Sequence, residues 1–234
     1  MTVTVLRSLP RARRLRRFVF GDAFGGAWTA ALDRWGRLGA LAHPDEIAVP
    51  ILNEDRPCGG ILFATPAARH VLEHYPSFLD FMEARFPGWT PRRVSDGEIY
   101  RREKSLGGDG VSVGPVAGAT IQIEAIRGRI EHVLHGAYLA GEPIATITGT
   151  IDLGDDLVIK RGAIGYERCA DIAELDQVFR VIGYTGFACV NFKMHDGVPK
   201  IFEINPRLGG SLVLGPDFDE LMGKTAEVLE RSWF

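Results

Sequence analysis

Lys200-Ile-Phe-Glu-Ile-Asn-Pro-Arg-Leu-Gly-Gly-Ser211 is the most informative stretch of the chain. Its first half reads as a strand, on which successive side chains point to opposite faces. Glu203 and Asn205 therefore share one face while Ile204 turns to the other, core side. A carboxylate beside an amide oxygen is a hard-oxygen donor set suited to Mg²⁺, a cation that keeps waters and bridges to phosphate oxygens. Pro206 stiffens the strand exit, Arg207 offers a planar charge to a phosphate, and Gly209-Gly210 lets the backbone come close to a ligand. Residues 186–194 and 199–205 are apolar runs joined through His195-Asp196-Gly197, and Asp-Gly between such runs signals a hairpin. Across that hairpin Asn191 offers a further oxygen. Taken alone, an acid near an Asn and an Arg at a strand end is more commonly a surface hydrogen-bond cluster.

The whole stretch of residues 186–207, Gly-Phe-Ala-Cys-Val-Asn-Phe-Lys-Met-His-Asp-Gly-Val-Pro-Lys-Ile-Phe-Glu-Ile-Asn-Pro-Arg, resembles the C-terminal signature of ATP-grasp enzymes, especially those similar to the carbamoyl-phosphate synthase large chain. The resemblance implies Mg²⁺ ligands at Asn191, Glu203 and Asn205, with Arg207 steadying phosphate and acyl-phosphate charge. The first of these positions is usually Glu or Gln, and Asn191 is shorter by one methylene. Two upstream segments extend the match. Arg101-Arg-Glu-Lys-Ser-Leu-Gly-Gly-Asp-Gly110 is similar to the family's basic strand and mobile glycine loop, which implies Arg101 at a phosphate and backbone N–H groups of Gly107, Gly108 and Gly110 around the phosphate chain. Lys104 falls off that spacing. Ile121-Gln-Ile-Glu-Ala-Ile-Arg-Gly-Arg-Ile-Glu131 is similar to the family's hinge, implying Glu124 beside the adenine, Glu131 on the ribose hydroxyls and backbone near Ile126 at the adenine edge. The joint match runs from about residue 98 to residue 214.

What the resemblance implies is an ATP-dependent carboxylate–amine ligase that works through an acyl phosphate, with ATP and Mg²⁺ as cofactors and small-molecule carboxylate and amine substrates. The alternative is a nucleotide-binding or regulatory module without ligase activity. Asn191 motivates it, as does an N-terminal region in which the family's preceding domain and first basic strand are not visible. A third reading, an arginine-arm interaction protein, would associate with nucleic acid in a salt-sensitive way.

Composition narrows the field independently. At 234 residues, 46% hydrophobic and 24% charged, the chain is an ordinary globular protein of one large domain or two small ones. No run reaches the roughly 18–20 apolar residues of a membrane-spanning helix. Cys58, Cys169 and Cys189 make no Cys-x-x-Cys pair and no disulfide framework, which fits a reducing, cytoplasmic setting. The net charge is −3, but the first 20 residues hold six arginines (Arg7, Arg11, Arg13, Arg14, Arg16, Arg17) and no acid, so the remainder carries −9. With no aromatic residue interleaved, that segment reads as a solvated face or frayed terminus rather than a nucleic-acid arm. It lacks the apolar core of a secretory signal and the serines of a transit peptide. A homodimer is an admissible assembly; neither a membrane nor nucleic acid is an expected partner.

Two regions of different character meet near residue 95. Residues 1–95 are expected to form a compressed or divergent front end, and residues 96–234 an ATP-grasp nucleotide-binding core. In the first region, residues 47–51 and 60–64 read as strands and residues 67–86 as two helices broken at Pro76; Trp28, Trp35 and Trp89 read as packing residues. In the second, strands are expected over 99–103, 119–126, 131–139, 143–152, 157–160, 186–194 and 199–205. Asp171-Ile-Ala-Glu174 resembles a capping box opening a helix that stops at Gly183, and a last helix covers about 216–230. His132 and His135, three apart on one strand, face opposite sides and make no metal pair. Lys160 and Arg161 read as a solvated strand end. The expected fold is α+β, with ATP-grasp-type antiparallel sheets, packed helices and a shortened N-terminal region.

Overall fold

The computed structural model describes residues 18–23, 25–39, 41–52, 55, 59–103, 111–115, 117–154 and 167–233. The Arg-rich residues 1–17, Cys58, Lys104, the loop glycines Gly107, Gly108 and Gly110, residues 157–160 and Arg161 lie outside them.

The chain opens with β1 (Phe18–Phe20), helix α1 (Gly26–Leu32), β2 (Gly36–Leu38), β3 (Ile47–Val49) and β4 (Ile61–Leu62). These strands form a parallel sheet in the order β2-β1-β3-β4. β1 and β2 were not anticipated, because three residues are too few for an alternation to register. Helices α2 (Pro66–Glu73) and α3 (Tyr75–Arg85) follow. They part at His74, whose backbone is extended, and Pro76 sits in the first turn of α3 instead of marking the break. Proline is at home there, where its missing N–H has no partner to lose.

The two remaining sheets are antiparallel, as expected of an α+β chain. β5 (Ile99–Arg101), β6 (Val111–Val113) and β7 (Ile121–Ile123) pair in the order β6-β5-β7. β8 (Ile130–Leu139), β9 (Glu142–Asp152), β10 (Glu167–Cys169), β11 (Gly186–His195) and β12 (Val198–Asn205) pair in the order β10-β9-β8-β11-β12. Asp196 and Gly197, at φ 52° and 77°, turn the β11–β12 hairpin, which is the left-handed geometry that an Asp-Gly pair tolerates. Helix α4 (Asp176–Ile182) lies between β10 and β11, and α5 (Gly210–Val213) and α6 (Phe218–Trp233) close the chain.

The anticipated capping box does not form. Ala173–Leu175 is a single tight turn, and α4 begins only at Asp176. The Asp171 carboxylate accepts from the Thr146 hydroxyl at 3.1 Å, and Asp176 accepts from the buried Tyr138 hydroxyl at 2.9 Å. A tertiary hydrogen bond thus takes the Asp171 carboxylate that local spacing assigned to a cap. Gly183 does end the helix, in the left-handed conformation at φ 61°.

β8 and β11 are buried on both faces, and alternation sorts their side chains into two cores. Leu134, Tyr138, Ala188, Val190 and Phe192 pack with α2, α3, α4 and β12. Ala137, Phe187 and Leu208 pack instead with Phe18 and Phe20 of β1 and Leu221 and Leu229 of α6. Both cores draw residues from either side of position 95. β12 is an edge strand, but its outer backbone is covered: the Ile201 amide donates to the Trp89 carbonyl at 2.6 Å. Covering an edge in this way prevents pairing with another chain. Among the described residues, no helix is long and apolar enough to cross a membrane.

Candidate functional site

The β11–β12 pairing sets Asn191 opposite Glu203 and Cys189 opposite Asn205. The register shifts between Asn191 and Phe192, leaving Phe202 as the extra residue on β12. On this edge the Glu203 carboxylate is the hub. Its Oε1 accepts from the side-chain amides of Asn191 at 3.0 Å and Asn205 at 2.9 Å. Its Oε2 accepts from the Arg101 guanidinium at 2.7 Å, and a second Arg101 nitrogen donates to the Phe202 carbonyl at 2.8 Å. Arg101, only 3% exposed, also lies 4.0 Å over the ring of Tyr75, a favourable position for a desolvated cation. Burial by itself would raise the Glu203 carboxyl, but Arg101 and the hydrogen bonds from Asn205, Arg101 and Asn191 outweigh it and hold the group below the usual carboxylate range.

Arg207 stands at the end of the same strand, 7% exposed, donating to the Leu208 carbonyl at 3.1 Å and to Asn205 Oδ1 at 3.3 Å. Burial lowers its pKa from the ordinary arginine value. The backbone beyond it is pressed into the sheet: a Cβ on Gly209 would lie 2.4 Å from His135 Cε1 and 2.7 Å from Cys189 Sγ. His135 Nε2 in turn is 2.9 Å from the Ser211 hydroxyl. His132 stacks on Phe192 instead, so the two histidines are apart as expected. A small open pocket borders the cluster, lined in part by Glu73, Tyr75, Arg101, Glu103, Glu203 and Asn205.

Five of the residues singled out in the sequence, Arg101, Asn191, Glu203, Asn205 and Arg207, therefore meet at one sheet edge. Arg101 faces Glu203 there, so its guanidinium is already engaged rather than open to an incoming anion. Glu124, Ile126 and Glu131 lie along a different line. The Glu124 carboxylate takes the backbone N–H of Arg92 at 3.1 Å and its guanidinium at 2.8 Å. Burial would raise this carboxyl, but the bonds from Arg92 prevail and lower it. Ile126 is buried, and its carbonyl accepts from Lys193 Nζ at 2.9 Å. Glu131 is a buried residue of β8. Tyr75, Arg92 and Lys193 escaped the sequence reading. Of these only Lys193 left a signal, its place two residues past Asn191 on the same strand face.

The donor set was tested against a magnesium ion. One carboxylate and two amides are oxygen-capable ligands, and a half-turn of each amide would exchange its nitrogen for its oxygen. Among the described residues, no group of three His, Cys, Asp or Glu side chains could hold a metal. The set fits an ion carried in on phosphate oxygens, which supply the remaining ligands, and does not fit one caged by the protein alone.

No protein-family model matches the sequence, and no curated protein matches it. Solved structures do match the fold. An ATP-grasp superfamily protein from Archaeoglobus fulgidus superimposes with a TM-score of 0.60 at 14% identity, over 91% of this chain and 88% of that one. Phosphoribosylamine–glycine ligase from Thermotoga maritima gives 0.60 at 13% identity, over 90% and 75%. N5-carboxyaminoimidazole synthetase from Staphylococcus aureus, complexed with ADP, gives 0.62 at 10% identity, over 93% and 78%. The structural neighbours are ATP-grasp superfamily proteins, and the chain has the ATP-grasp fold.

Proposed function

We propose that this protein is an ATP-dependent carboxylate–amine ligase of the carbamoyl-phosphate synthase-like kind, activating its carboxylate as an acyl phosphate. The observation that carries the reading is the convergence of Arg101, Asn191, Glu203, Asn205 and Arg207 at one sheet edge of an ATP-grasp fold. Phosphoryl transfer asks a protein mainly to position groups and to neutralise charge. Bound Mg²⁺ would supply that neutralisation at the phosphate oxygens, with Glu203, Asn191 and Asn205 as its protein ligands. Arg101 and Glu203 satisfy each other's charge. Arg101 would hold the Glu203 carboxylate in place beside the cation and add its own positive charge on the side of the phosphates. Arg207, its guanidinium held by Asn205 and Leu208, would steady the acyl-phosphate charge. The segment from Glu124 to Glu131 would receive the base and ribose, with the backbone near Ile126 at the base edge.

A second reading, a nucleotide-binding module without ligase activity, is favoured by one observation: Asn191, one methylene shorter than the Glu or Gln usual at that position, directs its amide N–H to Glu203. Calorimetric ATP binding measured beside phosphate release separates the two. The ligase reading expects Mg²⁺-dependent binding and release stimulated by a carboxylate–amine pair. Binding without release across a broad panel of carboxylates and amines would establish the second reading, and no ATP binding would overturn both.

A further inference from the structure

Lys193 is among the most deeply buried side chains in the protein. It is 1% exposed, and it points to the same face of β11 as Asn191. Its ammonium donates to the Ile126 carbonyl at 2.9 Å and lies 5.8 Å from the Phe202 ring centre. Its stem runs under the next turn of that connection, 3.9 Å from where a Cβ on Gly128 would stand. The β8–β11 register ends with Phe192 opposite His132. Glu131, the residue before His132 on β8, is itself only 5% exposed. A buried ammonium is costly unless its charge and its donors are met. Here a backbone carbonyl meets one donor, and the adjoining strand β8 carries the buried acid Glu131. Val133, directly opposite Asn191, forms a small apolar cluster with Ile151, Leu153 and Cys189. Two residues along a strand span about 6.6 Å, so Lys193 stands one side-chain row beyond Asn191, on the side towards Ile126.

We propose that Lys193 is a positioning residue for the base end of the nucleotide site. It pins the connection between β7 and β8 at the Ile126 carbonyl and sets the place of Glu131, while taking no part at the phosphates. This rests on the nucleotide reading above. The charge is what makes the anchor rigid: a neutral side chain of the same length would fill the space but leave the Ile126 carbonyl without that donor.

The test compares the wild-type full chain with Lys193→Met in two measurements. The first is binding, with Mg²⁺ present, of a non-hydrolysable ATP analogue and, separately, of inorganic tripolyphosphate. The expected result is at least a tenfold loss for the nucleotide analogue and less than a twofold change for tripolyphosphate. Equal losses for both ligands, or no loss for either, overturn the proposal. The second is amide hydrogen exchange without ligand, where amides of residues 124–129 are expected to exchange at least tenfold faster in the variant while those of β12 hold their rates; unchanged exchange at 124–129 overturns the anchoring role. If Lys193→Met does not fold, Lys193→Gln, whose amide is a neutral donor of shorter reach, is judged by the same ratios. A wild-type chain that binds no nucleotide defeats the underlying reading, whereas nucleotide binding that Lys193→Met leaves intact defeats this proposal alone.

Discussion

Arg101 on β5 and Glu203 on β12, 102 residues apart in the chain, meet at 2.7 Å with side chains 4% and 23% exposed. The contact joins the three-stranded sheet to the edge of the five-stranded one. It also makes a single residue responsible for the charge balance of a buried arginine and central to the proposed metal site.

Replacing Glu203 should therefore hurt twice. In Glu203→Ala the Arg101 cation loses its partner inside the protein, and leaving one member of a buried pair alone costs about 3–5 kcal/mol. The partial exposure of Glu203 points to the lower end. Urea titration of the variant checks this, and ATP turnover by any folded fraction is expected to fall at least a hundredfold. Turnover at the wild-type rate would remove Glu203 from the metal site.

Acid should weaken the same contact. The Glu203 carboxyl is held below its unfolded value, so its contribution to stability is complete above the unfolded value, roughly pH 4.3. It is lost as pH falls through the lower folded value. Thermal unfolding followed from pH 6 down to pH 3 is expected to show a loss of stability below about pH 4.5 that is smaller in Glu203→Gln. Identical pH profiles would place the acid sensitivity elsewhere.

Asn191 offers the converse experiment. Lengthening it to Glu sets a second carboxylate opposite Glu203 on the neighbouring strand. Without metal the two like charges repel, and Arg101 has to serve both. Asn191→Glu is expected to be less stable than wild type in the absence of Mg²⁺ and to recover stability as Mg²⁺ and a nucleotide are added together. A variant whose melting temperature ignores that addition would place the cation away from this strand pair.

Gly209 tests the clamp behind Arg207. A methyl group there would meet His135 and Cys189 at distances no Cβ tolerates, and forcing atoms into a packed site costs about 1–3 kcal/mol. Gly209→Ala is expected to lose stability by that amount and to shift Arg207. Pairing it with Cys189→Ala, which removes the sulfur at 2.7 Å, should restore part of the loss if the collision is the cause. Additive effects of the two changes would argue against it.

Tyr138→Phe probes a part of the fold remote from the site. Its hydroxyl donates to Asp176, and both residues are buried. Burial, offset only partly by that bond, raises the Asp176 carboxyl, so its folded form favours the proton and its effect on stability is lost as pH rises through the folded value. Removing the hydroxyl leaves a desolvated acceptor, and a cost of about 1–3 kcal/mol is expected at neutral pH, measured by chemical denaturation.

Much of this architecture was legible residue by residue. Asp196-Gly197 announces a hairpin because few other dipeptides accept two left-handed residues in succession. Gly183 announces a helix end for the same reason, and the Glu203–Asn205 spacing puts both side chains on one face through the two-residue period of a strand. These are local properties, set by backbone sterics within a few residues. In the parallel sheet β3 and β4 fell within the expected strands 47–51 and 60–64, but β1 and β2 were not legible, because strands so short owe their existence to the core that covers them. Nor was the fate of Asp171, whose carboxylate had a local partner to cap and a distant hydroxyl to bind, and bound the hydroxyl.

The sequence by itself determined the hairpin, the alternation of its two faces and the residue types gathered on one of them. Only the tertiary structure decided that Arg101 would sit against Glu203 and that Lys193 would reach under Ile126. Both pairings join residues far apart in the chain, and the reason they form is burial: a charge removed from water takes whatever counter-charge or carbonyl the packed elements bring within reach, and local sequence carries no record of which one that will be.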